Sequence, residues 1–156
     1  MKYLFAMLTV LWLGDSVEAQ SVLGVWKAVE VVVSGGPNAG RHTTDVQPGL
    51  LIITKKHYAM LFVGGFEPRP RLSDEPTDEE RGRVYEPFTA NAGTYELKGS
   101  TMTYTPVVAQ NPASMEGKPR SLEIRLEADS LSFITKSPAG VETRSKYILV
   151  EKLASK

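Results

Sequence analysis

The chain has 156 residues, 42% of them hydrophobic, with 18 basic side chains against 18 acidic ones and no cysteine. That balance lacks the basic excess that nucleic-acid binding requires. The missing cysteine excludes a disulfide scaffold, a thiol nucleophile and a thiolate metal site.

The first residues read as a leader. Lys2 gives a positive start, Leu4 to Leu13 form an apolar run, and Val17-Glu18-Ala19 places small residues where a signal peptidase cuts. Cleavage after Ala19 is expected, followed by one domain over residues 20–156, exported to the periplasm or the extracellular space. The apolar run is too short for a membrane span, which needs about 20 residues, and no later segment reads as a span. The mature chain would keep 17 basic and 16 acidic residues.

Gly24-Val25-Trp26 opens the domain and launches a strand, Val25 to Val33, dense in β-branched residues. Gly35-Gly36-Pro37-Asn38-Ala39-Gly40 ends it in a turn-rich loop. Leu50 to Thr54 and Tyr58 to Val63 form a hairpin whose second arm carries Tyr58, Met60 and Phe62 on one face. Thr77-Asp78-Glu79-Glu80 has the capping-box form, so a helix is expected over about Thr77 to Glu86, stopped by Pro87. Val84 and Tyr85 are its expected contacts. A meander follows: Gly93 to Leu97, Thr101 to Val108, Arg120 to Leu126, Leu131 to Lys136 and Val141 to Glu151. The expected fold is all-β, an antiparallel up-and-down barrel of about eight strands with one short helix near an opening. Eight strands enclose room for one small ligand.

Gly24-Val25-Trp26-Lys27, Gly49-Leu50-Leu51-Ile52-Ile53-Thr54, Tyr58-Ala59-Met60, Thr77-Asp78-Glu79-Glu80 and Gly93-Thr94-Tyr95-Glu96-Leu97 occur in an order that resembles the bacterial lipocalin-like domains, relatives of the calycin barrels. The resemblance covers most of the mature chain and implies a lipocalin-like barrel that binds a small molecule. The strand Thr101 to Pro106 lacks the histidines that this family often has there, so no role of theirs is carried over.

Trp26 is expected to close one end, its ring packed across the base and its N–H seeking a partner. The candidate ligand-binding residues are Tyr58, Met60, Phe62, Tyr95, Tyr104, Phe133 and Tyr147, whose aromatic and polarizable surface suits an apolar ligand. The same side chains could equally be core filling. Arg125 is a further candidate, able to grip a ligand carboxylate or pair with a buried Glu30; Arg144 could do the same, and the alternative places all three on the solvent face. On a regular strand Glu30, four residues beyond Trp26, shares the tryptophan's face, and a single bulge would exchange the faces. His42 and His57 lie in or beside turns and make no metal site.

Two functions follow. The first is an exported protein binding a small hydrophobic or amphipathic molecule, with aromatic and Met side chains around it and one or two charged groups orienting it. Entry would be near Gly64 to Arg71 and the helix. The alternative is an isomerase, cyclase or hydrolase in the same cavity, with Glu30 as general base and Tyr104 as acid. Neither needs a cofactor.

Overall fold

The computed structural model describes residues 22–153, so the leader expected over residues 1–19 lies outside the described residues. The strands are β1 (Gly24–Ser34), β2 (His42–Thr43), β3 (Gly49–Ile53), β4 (His57–Val63), β5 (Phe88–Lys98), β6 (Thr101–Ala109), β7 (Arg120–Glu127), β8 (Ser130–Lys136) and β9 (Glu142–Lys152). One helix, α1 (Asp78–Tyr85), lies between β4 and β5, and a 3-10 turn covers Pro112–Ser114. Eight strands pair antiparallel in the order β1-β3-β4-β5-β6-β7-β8-β9, and β9 pairs back onto β1. The sheet is therefore a closed up-and-down barrel without a free edge between its first and last strands. The ninth strand, β2, adds two residues beside Val31 and Val32 of β1.

Connection lengths give the barrel two different ends. Tight turns join β3 to β4, β5 to β6 and β7 to β8 at one end, whereas residues 35–48, 64–87, 110–119 and 137–141 crowd the other. The tight end is filled. Trp26, Leu51, Ile53 and Met102 are buried there with Tyr58, Met60, Ile124, Leu131, Phe133 and Tyr147 in one cluster. The Trp26 ring is 1% exposed, and its Nε1–H donates to the Val22 carbonyl at 2.9 Å. The indole thus plugs the base and fastens the chain just before the barrel. Gly24 fits because a side chain there would run into the Glu151 carbonyl and the Leu149 side chain.

Three bulges break the period-2 alternation. Ala28 pairs with Tyr147 and Glu30 with Lys146, leaving Val29 extra in β1. Val25 pairs with Glu151 and Trp26 with Leu149, leaving Val150 extra in β9. Ala92 pairs with Val108 and Gly93 with Pro106, leaving Val107 extra in β6. Val107 and Val150 are among the exposed large apolar side chains, as expected where a bulged residue is freed from its face.

Two features depart from the sequence pattern. β5 begins at Phe88 rather than Gly93, because Thr89-Ala90-Asn91-Ala92 has little strand preference and is held by pairing with β4 from Val63 to Ala59. The helix has its expected capping box: Thr77 Oγ1 accepts from the Glu80 N–H, and the Glu80 carboxylate accepts from the Thr77 N–H at 2.8 Å. Those hydrogen bonds, chiefly the one from the Thr77 N–H, hold the Glu80 carboxyl below its ordinary 4.5. However, α1 buries no residue. Tyr85 is exposed and ties the helix to the end of β6, its hydroxyl donating to the Gln110 carbonyl and Gln110 Nε2 donating to the Tyr85 carbonyl.

A Cβ at Gly93 would collide with the Thr105 carbonyl oxygen and approach Pro106 Cα at 2.9 Å. Gly93→Ala should therefore destabilise the barrel by about 3 kcal/mol, the upper part of the overpacking range, read as a lowered urea midpoint by circular dichroism. Trp26→Phe removes the Nε1 donor and leaves the Val22 carbonyl unpaired, so a loss of about 2 kcal/mol is expected in the same measurement.

Candidate functional site

The bulge at Val29 decides what the open half of the barrel looks like. Upstream, Trp26 and Ala28 point inward. Past the extra residue, Val31 and Val33 take the inward positions and Glu30 and Val32 face out. Beside them β9 alternates regularly, so Tyr147, Ser145 and Thr143 stand next to Ala28, Val31 and Val33 on the inner face. Across the barrel, Phe62 and Val63 end β4, and Gly64, Gly65 and Phe66 continue the wall. Asn38, Thr43, Val46 and Gln47, from the connection between β1 and β3, complete it together with Thr135 of β8 and Val141.

These residues enclose a cavity of about 480 Å3, within the range of pockets that hold small ligands. Among the described residues its lining contains no Asp, Glu, Lys, Arg or His. The floor is Tyr147, which belongs both to the buried cluster and to the cavity wall. Its ring leans on Phe133 with centroids 5.3 Å apart, and burial pushes its hydroxyl up to about 12. The phenol therefore stays protonated and acts as a neutral hydrogen-bonding group. Behind the lining residue Phe66, the Arg41 guanidinium lies 3.7 Å over the ring and joins two loops by a cation–π contact.

Of the residues expected to meet a ligand, Phe62 and Tyr147 line this cavity. Tyr58, Met60, Tyr95, Tyr104 and Phe133 lie in or against the packed cluster. Tyr58 donates to Asn91 Oδ1 at 2.7 Å and meets Tyr104 edge-on at 5.4 Å. Desolvation, reinforced by the neighbouring Tyr104, raises its hydroxyl to about 12 against a smaller opposing effect of Arg120. Tyr95 donates to the Thr54 carbonyl at 2.7 Å, and burial raises its hydroxyl too. These side chains fill the tight end of the barrel.

Arg125 is exposed and pairs with Glu123 Oε1 at 3.2 Å on the same outer face of β7, so it does not point inward. Glu30 also lies outside, 3.5 Å from His42 Nε2 and 3.9 Å from Arg144 Nη2. The regular-strand expectation that Glu30 shares the face of Trp26 fails because the bulge intervenes. It follows that no buried Glu30–Arg125 pair exists, and that Glu30 and Tyr104 occupy opposite faces of the sheet. The expected charged groups to orient a ligand are likewise absent from the cavity lining.

The sequence reading missed Val31, Val33, Thr143 and Ser145. The signal for the last two was present, since Thr143-x-Ser145-x-Tyr147 alternates hydroxyls within one strand. Among the described residues no group of three or more His, Asp or Glu is placed to hold a metal ion, and no helix is long and apolar enough to cross a membrane.

No family model matches the chain, and no curated protein matches it. A solved structure of a redesigned beta barrel is similar at a TM-score of 0.40, with 12% identity, covering 81% of this chain and 89% of that one.

If Glu30 and Arg125 serve only surface pairs, Glu30→Gln and Arg125→Met should each cost less than about 1 kcal/mol. Both should leave the affinity for a cavity ligand within about twofold, a change of only a few tenths of a kcal/mol. Chemical denaturation and ligand titration of the two variants measure this.

Proposed function

We propose that this chain is an exported, lipocalin-like protein that binds one small, mostly apolar molecule in the open half of its barrel. The observation that carries the reading is the division of the interior. Large side chains pack the tight end solid, whereas the open end keeps a cavity of about 480 Å3 walled by Val31, Val33, Val46, Phe62, Phe66 and the β9 hydroxyls. A chain that needed only a stable core would fill that volume, because cavities cost stability. The Gly24-Val25-Trp26 opening and the segment order support the lipocalin-like character, and the leader at residues 1–19 supports export to the periplasm or beyond.

Gly64 to Phe66 of the wall, with Arg41 stacked on Phe66, belong to the connection that this reading takes as the ligand's entry. The enzymatic alternative gains nothing here. Its base, Glu30, lies outside the wall, and its acid, Tyr104, is packed against Tyr58.

Native mass spectrometry of the purified protein should show one small molecule per chain, or one equivalent of the apolar fluorophore N-phenyl-1-naphthylamine when it is added. Val31→Trp, which fills the cavity from its wall, should weaken that binding about tenfold or more. Equal binding by both proteins would place the fluorophore elsewhere and remove the support for this reading.

A further inference from the structure

Along the seam of β1 and β9 the cavity wall is divided by strand, while Asn38, Thr43, Gln47 and Thr135 add polar groups elsewhere. β1 contributes Ala28, Val31 and Val33, whereas the adjacent β9 contributes Tyr147, Ser145 and Thr143 in register beside them. Inward positions along a strand recur about every 6.6 Å, so β9 presents a row of three hydroxyls running from the cavity floor toward its mouth. Apolar side chains would satisfy the packing of that strand equally well. Hydroxyls there are costly unless something accepts or donates to them.

Among the described residues, the Tyr147 hydroxyl is left open to a partner inside the cavity. The hydroxyls of Tyr58, Tyr85 and Tyr95 each donate to a protein oxygen. Tyr147 is 6% exposed, yet among the described residues no hydrogen bond engages its hydroxyl. Among the described residues no buried polar side-chain atom lacks a partner, so the phenolic oxygen keeps accessible surface. Because the residue lines the cavity, that surface opens into it.

Charge is missing from the same wall. A charged ligand atom taken inside would lose its hydration with no opposite charge to compensate. The nearby Glu30, His42 and Arg144 are grouped with one another on the outer face.

We infer that the cavity selects an uncharged molecule carrying oxygen or other hydrogen-bonding groups along one edge, with that edge laid on the β9 hydroxyl row and Tyr147 as the specificity-determining contact. Esters, ketones, lactones and alcohols with an apolar remainder belong to this class, and carboxylates and amines do not. The inference rests on the binding reading above and adds the chemistry of the ligand.

Displacement of N-phenyl-1-naphthylamine by decan-2-one, decanoate and decylammonium at neutral pH tests it. The ketone should displace the fluorophore at a concentration about tenfold or more below either ion, the penalty of an uncompensated charge. Tyr147→Phe keeps the ring against Phe133 and should weaken the ketone by about 3- to 10-fold, the span of one hydrogen bond, while fluorophore binding itself is retained. Thr143→Val, of nearly the same shape, gives a second variant with the same expected direction should Tyr147→Phe fail to fold. Ions that match the ketone, or a ketone affinity unmoved in the folded variants while the fluorophore is still bound and displaced, would overturn the ligand class and leave the binding reading intact. Failure of the wild-type protein to bind the fluorophore at all would overturn the binding reading, and the ligand class with it.

Discussion

The extra residue at Val29 sets the inner face of the barrel. A regular β1 would carry the inward set from Trp26 and Ala28 to Glu30 and Val32, placing a carboxylate in the interior and two valines outside. With Val29 unpaired between the Ala28–Tyr147 and Glu30–Lys146 partners, the parity reverses once. Val31 and Val33 turn in, and Glu30 turns out. A bulge also bends its strand and increases local twist, which suits a strand leaving a packed base for a loop-covered opening. One residue thus separates the filled half of the barrel from the hollow half.

The two halves are stabilised differently. In the base, Trp26, Leu51, Ile53, Met102 and Leu131 are essentially inaccessible and gain both the hydrophobic effect and close packing. The open half gives up that packing over the cavity volume and relies on the hydrogen-bond ladder and on loop contacts such as Arg41 over Phe66. Closure through β1 and β9, which pair from Gly24 to Ser34, removes the strand edge that an open sheet would otherwise expose. Two seams are shorter, each with four partner pairs: Thr101 to Tyr104 with Glu123 to Arg120, and Gly24 to Lys27 with Ile53 to Leu50. Local opening of the barrel is cheaper at these two, because fewer backbone hydrogen bonds must break.

The architecture was legible because it depends on repeated signals. β-branched runs, Gly- and Pro-rich turns and one capping box placed all eight barrel strands and the helix, and the indole's partner was implied by burying its N–H. The site was less legible for a specific reason. Large residues such as Tyr58, Met60 and Tyr104 stand out by type, yet bulk is what fills the tight end, whereas a hollow end is lined by smaller residues such as Val31, Ser145 and Thr143. Inward position depends on parity, and the chain Val29-Glu30-Val31-Val32-Val33 gives no local sign of which residue bulges. Only the partner strand reveals it, because Tyr147 and Lys146 are consecutive while Ala28 and Glu30 are not.

The placement of charge argues for how such a cavity can discriminate. Glu30 draws together His42 of β2 and Arg144 of β9 across β1, so the ionic cluster clips the short extra strand to the barrel wall. From that strand, the segment through Val46 and Gln47 covers the cavity. Charge here acts from outside, where water limits each pair to about 1 kcal/mol or less and no ligand need be charged to match it. Inside, the phenol of Tyr147 is neutral by burial and can both donate and accept, and Ser145 and Thr143 can do the same. Recognition by such groups penalises a ligand that leaves them unpaired more than it rewards one that adds apolar area. A mostly apolar cavity can therefore be selective, and on the proposed reading its selectivity rests on the β9 hydroxyls rather than on apolar area.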